Sequence, residues 1–440
     1  MQATRKRHIW MLCIGCALVM VVWKSKNFIN GFTSLKKQLK NNATRTNRCQ
    51  RKTNISFIKT HKTASTAVQN VLLRYGLHNN LKIAFPVNTH DFNYPGFFSN
   101  TSVAKHGPNP YNIICHHMRM RYAATKSIMP KDSPFVTIVR EPGQLFESTF
   151  DYFWPIVPSF QRVPHHNKTS IEDWLDQAAD HMHAAGPSTY AHFGKNPTFF
   201  DLGYNNMKDH EQHIQEALTE LSKIFDLVMV ADYFDESIVL FADLMCWDLE
   251  DVACLSLNAR SHDNDSEAKT RRARIREKAR RWNKADATLF DYFNATLWKK
   301  IEMFGLKKME SAISKLKEIR NNLTDICIEG GGLVDSENIS DLDFKKTIFK
   351  PRGVSVASYN LKPGAEKLAI CRELIASENT FSRQVFNTQR DRLLPRTSKY
   401  GISQTFFLKL LTLTSILLIG KLICFKFYQI TSRCVFCHGK

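Results

Sequence analysis

Residues 57–74 read FIKTHKTASTAVQNVLLR, and this stretch decides the fold class. The run Ile55–Ile58 is mostly apolar and indicates a strand, whereas apolar residues recur at helical spacing from Val68 onward. The turn between them, residues 59–64, carries two lysines, a histidine and threonine hydroxyls. A strand that leads into a helix through such a turn presents free backbone N–H groups and the positive end of the helix dipole to an anion. The sequence therefore predicts a phosphate-binding loop.

The predicted loop differs from a Walker A loop, because that motif needs glycines in the order G-x-x-x-x-G-K-[ST] and this turn has none. Charged and hydroxyl donors are nevertheless concentrated there, at Lys59, Lys62, Thr63, Ser65 and Thr66. A secretory-pathway kinase that uses ATP is disfavoured, since the kinase signature motifs are also missing. For the isolated segment, an ordinary buried strand followed by a polar turn is the alternative interpretation.

A second strand-to-helix segment, residues 135–153, reads FVTIVREPGQLFESTFDYF. Arg140 follows the predicted strand, and Ser148 lies two helical turns later. Arginine offers a planar fork of N–H donors to a phosphate, and a serine hydroxyl can complete the contact. The alternative is a structural Arg140 that pairs with Glu141 or Glu147. Two anion-binding elements roughly 75 residues apart fit a nucleotide that is phosphorylated at both ends.

Predicted strands alternate with predicted helices along the chain. The strands are Ile55–Ile58, Tyr111–Cys115, Phe135–Val139 and Leu227–Val230, and the helices are Ala64–Tyr75, Gln144–Phe153 and Tyr233–Met245. This alternation predicts an α/β fold with a central, mostly parallel sheet flanked by helices. Residues 306–400 contain a Gly330–Gly332 break, and we expect them to form a less regular C-terminal extension.

The two anion-binding segments together resemble the cofactor-binding elements of the galactose 3-O-sulfotransferases, Golgi enzymes that use 3′-phosphoadenosine-5′-phosphosulfate (PAPS). Further blocks similar to that family are residues 112–119, 227–237, 244–249, 257–260, 281–286 and 292–298. One departure is Ser65-Thr66-Ala67, where the family commonly carries Ser-Ser-Thr. The resemblance implies a P-loop-like sulfotransferase fold and a PAPS-dependent galactose 3-O-sulfotransferase.

The resemblance also implies roles for individual residues. Arg140 and Ser148 would hold the 3′-phosphate of PAPS, and Lys62 would stabilise the bridging oxygen of the leaving nucleotide. The 5′ side would be held by Thr63, Ala64, Ser65 and Thr66, partly through backbone N–H groups, with electrostatic help from Lys59. The acceptor hydroxyl needs a general base, for which His61 is the first choice and His116 and His117 are the alternatives. No metal is expected, because no ligand set has metal spacing.

The net charge of the chain indicates which classes of partner it can bind. A formal net charge of +20 over 440 residues favours anionic partners such as a nucleotide, acidic glycans or a membrane surface. Nucleic acid is disfavoured, since neither a zinc-finger spacing nor an RNA-binding aromatic signature accompanies the charge. The densely basic residues 266–281 indicate either a solvated helix face or a patch for an anionic substrate or membrane.

The terminal segments predict attachment to a membrane. Residues 9–23 are apolar and flanked by basic residues, which indicates a signal-anchor; a signal-peptide core is the alternative, although no clear cleavage site follows. We expect a single-pass type II protein of the Golgi membrane with a luminal catalytic domain. The predicted organisation is a cytoplasmic tail (1–8), the anchor (9–23), a stem (24–53), the sulfotransferase domain (54–305), the extension (306–400) and an apolar segment (406–428) that is an interfacial helix or a second anchor.

Glycosylation sequons and cysteines agree with a luminal location. Sequons begin at Asn42, Asn54, Asn100, Asn167, Asn264, Asn294, Asn322 and Asn338. Six cysteines lie between the apolar segments, at positions 49, 115, 246, 254, 327 and 371, and they permit disulfides whose pairing the sequence does not give.

The sequence does not distinguish between possible acceptors, because acceptor pockets are built from loops. Both a glycolipid such as galactosylceramide and a glycoprotein glycan fit a galactose 3-O-sulfotransferase. A different carbohydrate O-sulfotransferase and a catalytically silent glycan-binding protein on the same fold are the alternatives. A homo-oligomer is compatible with the sequence.

Overall fold

Five parallel strands form the central sheet. The computed structural model describes residues 49–87, 90–105, 110–165, 169–255, 266–348, 350, 354 and 356–393. The strands are β1 (Ile55–Ile58), β2 (Ile83–Ala84), β3 (Ile113–Ile114), β4 (Phe135–Val139) and β5 (Leu227–Val230), with a separate antiparallel pair formed by β6 (Val334–Asp335) and β7 (Ala357–Ser358). The order in the large sheet is β2-β3-β1-β4-β5, and every pairing is parallel.

Helices flank this sheet and build the C-terminal part of the described chain. They are α1 (Ser65–His78), α2 (Tyr122–Ile128), α3 (Pro142–Phe153), α4 (Ser170–Asp176), α5 (Ala178–Ala185), α6 (Pro197–Asp201), α7 (Glu211–Ile224), α8 (Phe234–Met245), α9 (Leu249–Val252), α10 (Ser266–Trp282), α11 (Lys284–Phe304), α12 (Leu306–Cys327), α13 (Leu342–Thr347), α14 (Ala369–Ile375) and α15 (Glu378–Leu393). Every element named here belongs to the unit that begins at Lys52.

The strand order places the two predicted anion-binding segments side by side. β1 and β4 are neighbours, with Phe57 opposite Val136 and Ile58 opposite Thr137. After β1 the chain continues to β2 at one edge of the sheet, and after β4 it continues to β5 at the other edge. The direction in which strands are added therefore reverses between β1 and β4. In open α/β sheets, ligands bind at the carboxyl ends of the strands at such a reversal. The loop after β1 and Arg140 after β4 both lie at that position.

Three apolar clusters stabilise the described residues. The main core packs both faces of the sheet, whose strands β1, β4 and β5 are buried throughout, as expected of strands covered by helices on both sides. A second cluster, which includes Phe146, Phe150 and Trp174, joins α3 to α4 and α10. A third, smaller cluster surrounds the Cys327–Cys371 disulfide in the C-terminal part.

The predicted α/β fold with a parallel sheet is confirmed, with shifts at the boundaries. The strand expected over Tyr111–Cys115 is only two residues long, and the short strand β2 was not predicted. Residues 306–393, expected to be less regular, contain the 22-residue helix α12 as well as α14 and α15. Residues 306–327 form the helix α12 because they are amphipathic: Met309 and Leu316 are buried against the core, while the other side chains are largely exposed.

The structure describes the six cysteines between the apolar segments but neither of those segments. Cys49 and Cys246 are also disulfide-bonded, whereas Cys115 and Cys254 are buried free thiols. The predicted apolar segments 9–23 and 406–428, with most of the stem, lie outside the described residues. Among the helices that are described, none has the length and hydropathy required to cross a bilayer.

Candidate active site

The loop after β1 has a strained backbone. Lys62 and Ala64 have φ angles of 59° and 64°, in the left-handed region that favours glycine. Each such residue costs about 1–3 kcal/mol and persists only when its surroundings enforce it. The strained loop leads into α1, whose N-cap residue Ala64 makes no side-chain capping bond. The first N–H groups of α1 are therefore not capped by the side chain of their N-cap residue, which is a suitable arrangement for an anion.

Hydroxyl groups of the loop and of Ser65 form hydrogen bonds to the loop itself and to β4. Thr60 Oγ1 donates to the Ile138 carbonyl at 2.5 Å and lies 2.8 Å from Thr63 Oγ1. Ser65 Oγ donates to the Thr60 carbonyl at 2.6 Å. Thr63 and Ser65 belong to the group predicted to hold the 5′ side of the donor partly through backbone N–H groups, and in the structure their buried hydroxyls bond to the loop itself. Both residues line the cleft, together with Ala64.

The structure brings Lys62, Arg140 and Ser148 together in one cleft of about 1010 Å³. Arg140 Nη1 donates to the Lys62 carbonyl at 3.2 Å, which links the end of β4 to the loop after β1. Ser148 lies on α3 and is buried at the cleft wall. The Lys62 ammonium lies 3.5 Å from the centre of the Tyr152 ring, a cation–π contact. Burial raises the pKa of Tyr152 to about 12, with a smaller contribution from Glu378, so the ring stays a neutral phenol.

His61 is held by a carboxylate that the sequence did not single out. Asp201, at the end of α6, accepts the His61 backbone N–H at 2.8 Å and lies 2.9 Å from His61 Nδ1. It also accepts the Tyr94 hydroxyl at 2.7 Å. Because the carboxylate accepts, Nδ1 carries the proton and Nε2 is left as the basic nitrogen. The His61 ring lines the cleft, so the pair has the form of a general base with an orienting carboxylate.

Residues 283–286 position Asp201. Asn283 Oδ1 accepts the Asn196 backbone N–H at 2.7 Å, and Asp286 accepts the N–H groups of Thr198 and Phe199 at 3.1 and 2.8 Å. These contacts fix the start of α6, whose last residue is Asp201. Burial raises the pKa of Asp286 to about 7 against the lowering effect of those N–H donors. The block 281–286, noted only as a similarity, was the sequence signal for this support.

The two other candidate bases lie in different environments. His117 lines the cleft and stacks on His61, with ring centroids 3.9 Å apart. Its Nδ1 donates to the Lys59 carbonyl at 3.2 Å, and burial together with the neighbouring His61 lowers its pKa well below the usual range. His116 is buried in the core between aromatic rings, with Nε2 at 3.0 Å from Ser382 Oγ, and does not line the cleft. Of the two, only His117 lines the cleft.

Lys59 also lies away from the cleft. Its side chain is fully buried, and its ammonium forms an ion pair with Glu378, the first residue of α15. Glu378 does line the cleft, and its second oxygen accepts the Thr66 hydroxyl at 3.2 Å. The structure thus places Lys59 behind a carboxylate from the C-terminal part, which the sequence could not indicate.

The basic helix α10 is largely neutralised by its neighbours. Arg274, Lys278 and Arg280 form ion pairs with carboxylates on other elements. This face of the helix is therefore solvated and also attached to its neighbours. Arg276 is different, because it lines the cleft beside Glu147, with 3.9 Å between Nη2 and Oε2. Its backbone approaches α3 so closely that a Cβ built on Gly143 would lie 2.5 Å from the Arg276 Cα. Only glycine fits at this crossing.

The C-terminal part forms one wall of the cleft. Residues from this part that line it are Thr347, Ile348, Lys350, Ala357, Ser358 and residues 375–379. Within the described residues, no group of three or more His, Cys, Asp or Glu side chains could hold a metal ion. The absence of a metal cofactor stays a prediction, as do the assigned roles of the individual site residues.

Sequence comparisons agree with the geometry of the site. The family described as Galactose-3-O-sulfotransferase matches residues 1–389. Galactosylceramide sulfotransferase of Homo sapiens is 38% identical over 335 residues, which cover 75% of this chain and 77% of that protein. Galactose-3-O-sulfotransferase 3 of Homo sapiens is 32% identical over 405 residues, covering 89% and 91%, and galactose-3-O-sulfotransferase 2 of Sus scrofa is 29% identical over 354 residues, covering 77% and 84%.

Proposed function

The chain belongs to the galactose-3-O-sulfotransferase family and is a galactose 3-O-sulfotransferase; from this premise we propose that its sulfate donor is PAPS, bound in the cleft lined by Lys62, Arg140 and Ser148. One observation carries the donor assignment. Arg140 and Ser148 on one strand-to-helix segment, and the N-terminus of α1 on the other, form two anion-binding positions in a single cleft. A nucleotide with phosphate groups at both ends needs two such positions.

His61 is the general base of the proposed reaction. Its Nε2 accepts the proton of the galactose 3-hydroxyl while the hydroxyl oxygen forms a bond to sulfur, and Asp201 keeps Nδ1 protonated throughout. PAPS supplies the sulfuryl group, whose bond to the bridging phosphate oxygen breaks in the same step. Lys62, whose ammonium lies over the Tyr152 ring, would stabilise the negative charge that develops on that oxygen. His117 stacks on His61 and excludes water from one face of the ring.

The acceptor is a galactose on a glycolipid, such as galactosylceramide, or on a glycoprotein glycan. Relatives named for galactosylceramide and for galactose both match this chain. We further propose that the protein resides in the Golgi membrane as a single-pass type II protein with the cleft in the lumen. The apolar residues 9–23 and the disulfide Cys327–Cys371 support this location, because disulfides persist in the oxidising secretory pathway.

A transfer assay tests the proposal. The full-length protein in detergent is incubated with radiolabelled PAPS and with galactosylceramide, lactose, and type 1 and type 2 glycans. We expect transfer to at least one acceptor by the wild type and none by Lys62→Ala. Lys126→Ala is the matched control, because Lys126 also lies over a tyrosine ring but outside the cleft. A wild type that binds galactosylated glycans without transfer, with Lys62→Ala binding equally well, would support the silent glycan-binding alternative instead.

A further inference from the structure

A buried ion pair connects the donor loop to the last described helix. Lys59 is the residue between β1 and the strained turn, and its side chain is inaccessible to solvent. Its ammonium pairs with Glu378, whose side chain is 22% exposed and faces the cleft. A buried ammonium is stable only with a close partner, because burial alone disfavours its charged form.

The same carboxylate contacts the helix that follows the loop. While one oxygen of Glu378 meets Lys59, the other accepts the Thr66 hydroxyl at 3.2 Å in the first turn of α1. Lys59 and Thr66 lie on opposite sides of Lys62 and Ala64, the two residues with positive φ. Glu378 therefore spans the strained part of the loop.

The segment that carries Glu378 is fixed independently of the loop. The Asn70 amide donates to the Glu373 carbonyl at 2.8 Å, and His78 Nε2 lies 2.8 Å from a Glu373 carboxylate oxygen. Farther along α15, the Gln389 side chain bonds to both backbone groups of Ile83 at 2.7 and 2.9 Å. The Cys327–Cys371 disulfide ties the preceding helix α14 to α12. The position of Glu378 is thus fixed by contacts that do not involve residues 59–64.

We infer that Glu378 is a positioning residue of the donor site, which holds the loop of residues 59–64 in its anion-binding form by bridging Lys59 and Thr66. The inference rests on the proposed function of that loop. It makes the C-terminal part of the chain a component of the donor site. Without the Glu378 charge, the buried Lys59 ammonium loses its partner, and both it and the strained turn have to rearrange.

Binding of 3′,5′-adenosine bisphosphate, measured by calorimetry well below the unfolding temperature, tests the inference. We expect Glu378→Gln to weaken binding about tenfold and to raise KM for PAPS more than it lowers kcat. Lys59→Met should weaken binding to a similar degree. The double variant should bind about as well as either single variant, not a hundredfold more weakly than the wild type, because both substitutions break one interaction.

Glu373→Gln is the matched control. It removes a carboxylate from the same segment that pairs with α1 at His78, at the end of the helix remote from the loop. We expect it to lower the unfolding temperature while leaving nucleotide affinity unchanged, because the bonds made by Asn70 and Gln389 and the disulfide still hold the segment. Glu378→Gln with unchanged or tighter binding would overturn the inference, and so would independent effects of the two substitutions. A wild type that binds no nucleotide would instead overturn the proposed function.

Discussion

Asp201 binds His61 twice, through the backbone N–H at 2.8 Å and through Nδ1 at 2.9 Å. The first contact fixes the position of the loop residue, and the second fixes the tautomer and the plane of its ring. Asp201 is fully buried and receives a third hydrogen bond from Tyr94. Asp201 thus fixes the orientation of the proposed base in the absence of an acceptor.

We expect Asp201→Asn to reduce kcat by about 10²–10⁴-fold, the typical contribution of a positioned general base. The asparagine amide can present a donor to Nδ1, which would favour the wrong tautomer of His61. The affinity for 3′,5′-adenosine bisphosphate should change little, since Asp201 contacts neither Arg140 nor Ser148. Steady-state kinetics and calorimetry check these two expectations. Asp209→Asn, which alters a carboxylate paired with Lys195 outside the cleft, is the control.

Arg140→Lys should weaken binding of 3′,5′-adenosine bisphosphate by at least about tenfold. Lysine keeps the charge but loses the planar fork, which can contact a phosphate and the Lys62 carbonyl at once. Arg281→Lys offers a comparison, because Arg281 forms an exposed pair with Glu277 within one helix. Equal affinities of the two variants, measured by calorimetry, would contradict a phosphate-binding role for Arg140.

Replacing both Cys327 and Cys371 by alanine should lower the free energy of unfolding by about 2–4 kcal/mol. The disulfide closes a loop with a sequence separation of 44 residues, for which the chain-entropy model gives about 4 kcal/mol. Chemical denaturation of the wild type and the double variant measures the difference. Cys254→Ala, at a buried free thiol, should cost less. A loss no larger than that of Cys254→Ala would argue against the entropic contribution.

The stability of the fold should fall as the pH drops below about 6.5. Burial lowers the pKa of both His116 and His192 to about 3, so the folded protein keeps these rings neutral while the unfolded chain takes up protons. The unfolded state then binds more protons at acid pH, and each histidine should cost roughly 2 kcal/mol between about pH 7.5 and pH 5. Denaturation curves across this range should show a smaller pH dependence in His116→Gln. Substituting the exposed His183 by glutamine should leave the pH dependence as in the wild type.

Much of the donor side could be predicted from the sequence, because its parts are local. The loop between β1 and α1 and the Arg140–Ser148 pair each lie within one strand-to-helix segment, where hydrophobic periodicity and turn composition carry the signal. Their meeting in one cleft then follows from two parallel strands being neighbours. The short strand β2, with only Ile83 and Ala84, was too brief to leave a pattern.

The partners of the loop could not be predicted, because they come from distant segments. Asp201 ends a five-residue helix between irregular stretches, and Glu378 begins a helix with no unusual composition. Neither carboxylate differs in sequence from the many that form surface ion pairs. For the same reason, the sequence assigned Lys59 to the cofactor, while in the fold a carboxylate stands between its ammonium and the cleft.

The bond between Thr66 and Glu378 joins residues that are 312 positions apart. At typical rates of synthesis, about 5–20 residues per second, the ribosome adds Glu378 roughly 15–60 s after Thr66. A nascent chain can therefore pair β1 with β4 long before Glu378 is available to bond to Lys59 and Thr66. A premature stop codon between positions 231 and 377 would yield a polypeptide that contains all five strands of the central sheet but lacks the carboxylate that bridges Lys59 and Thr66.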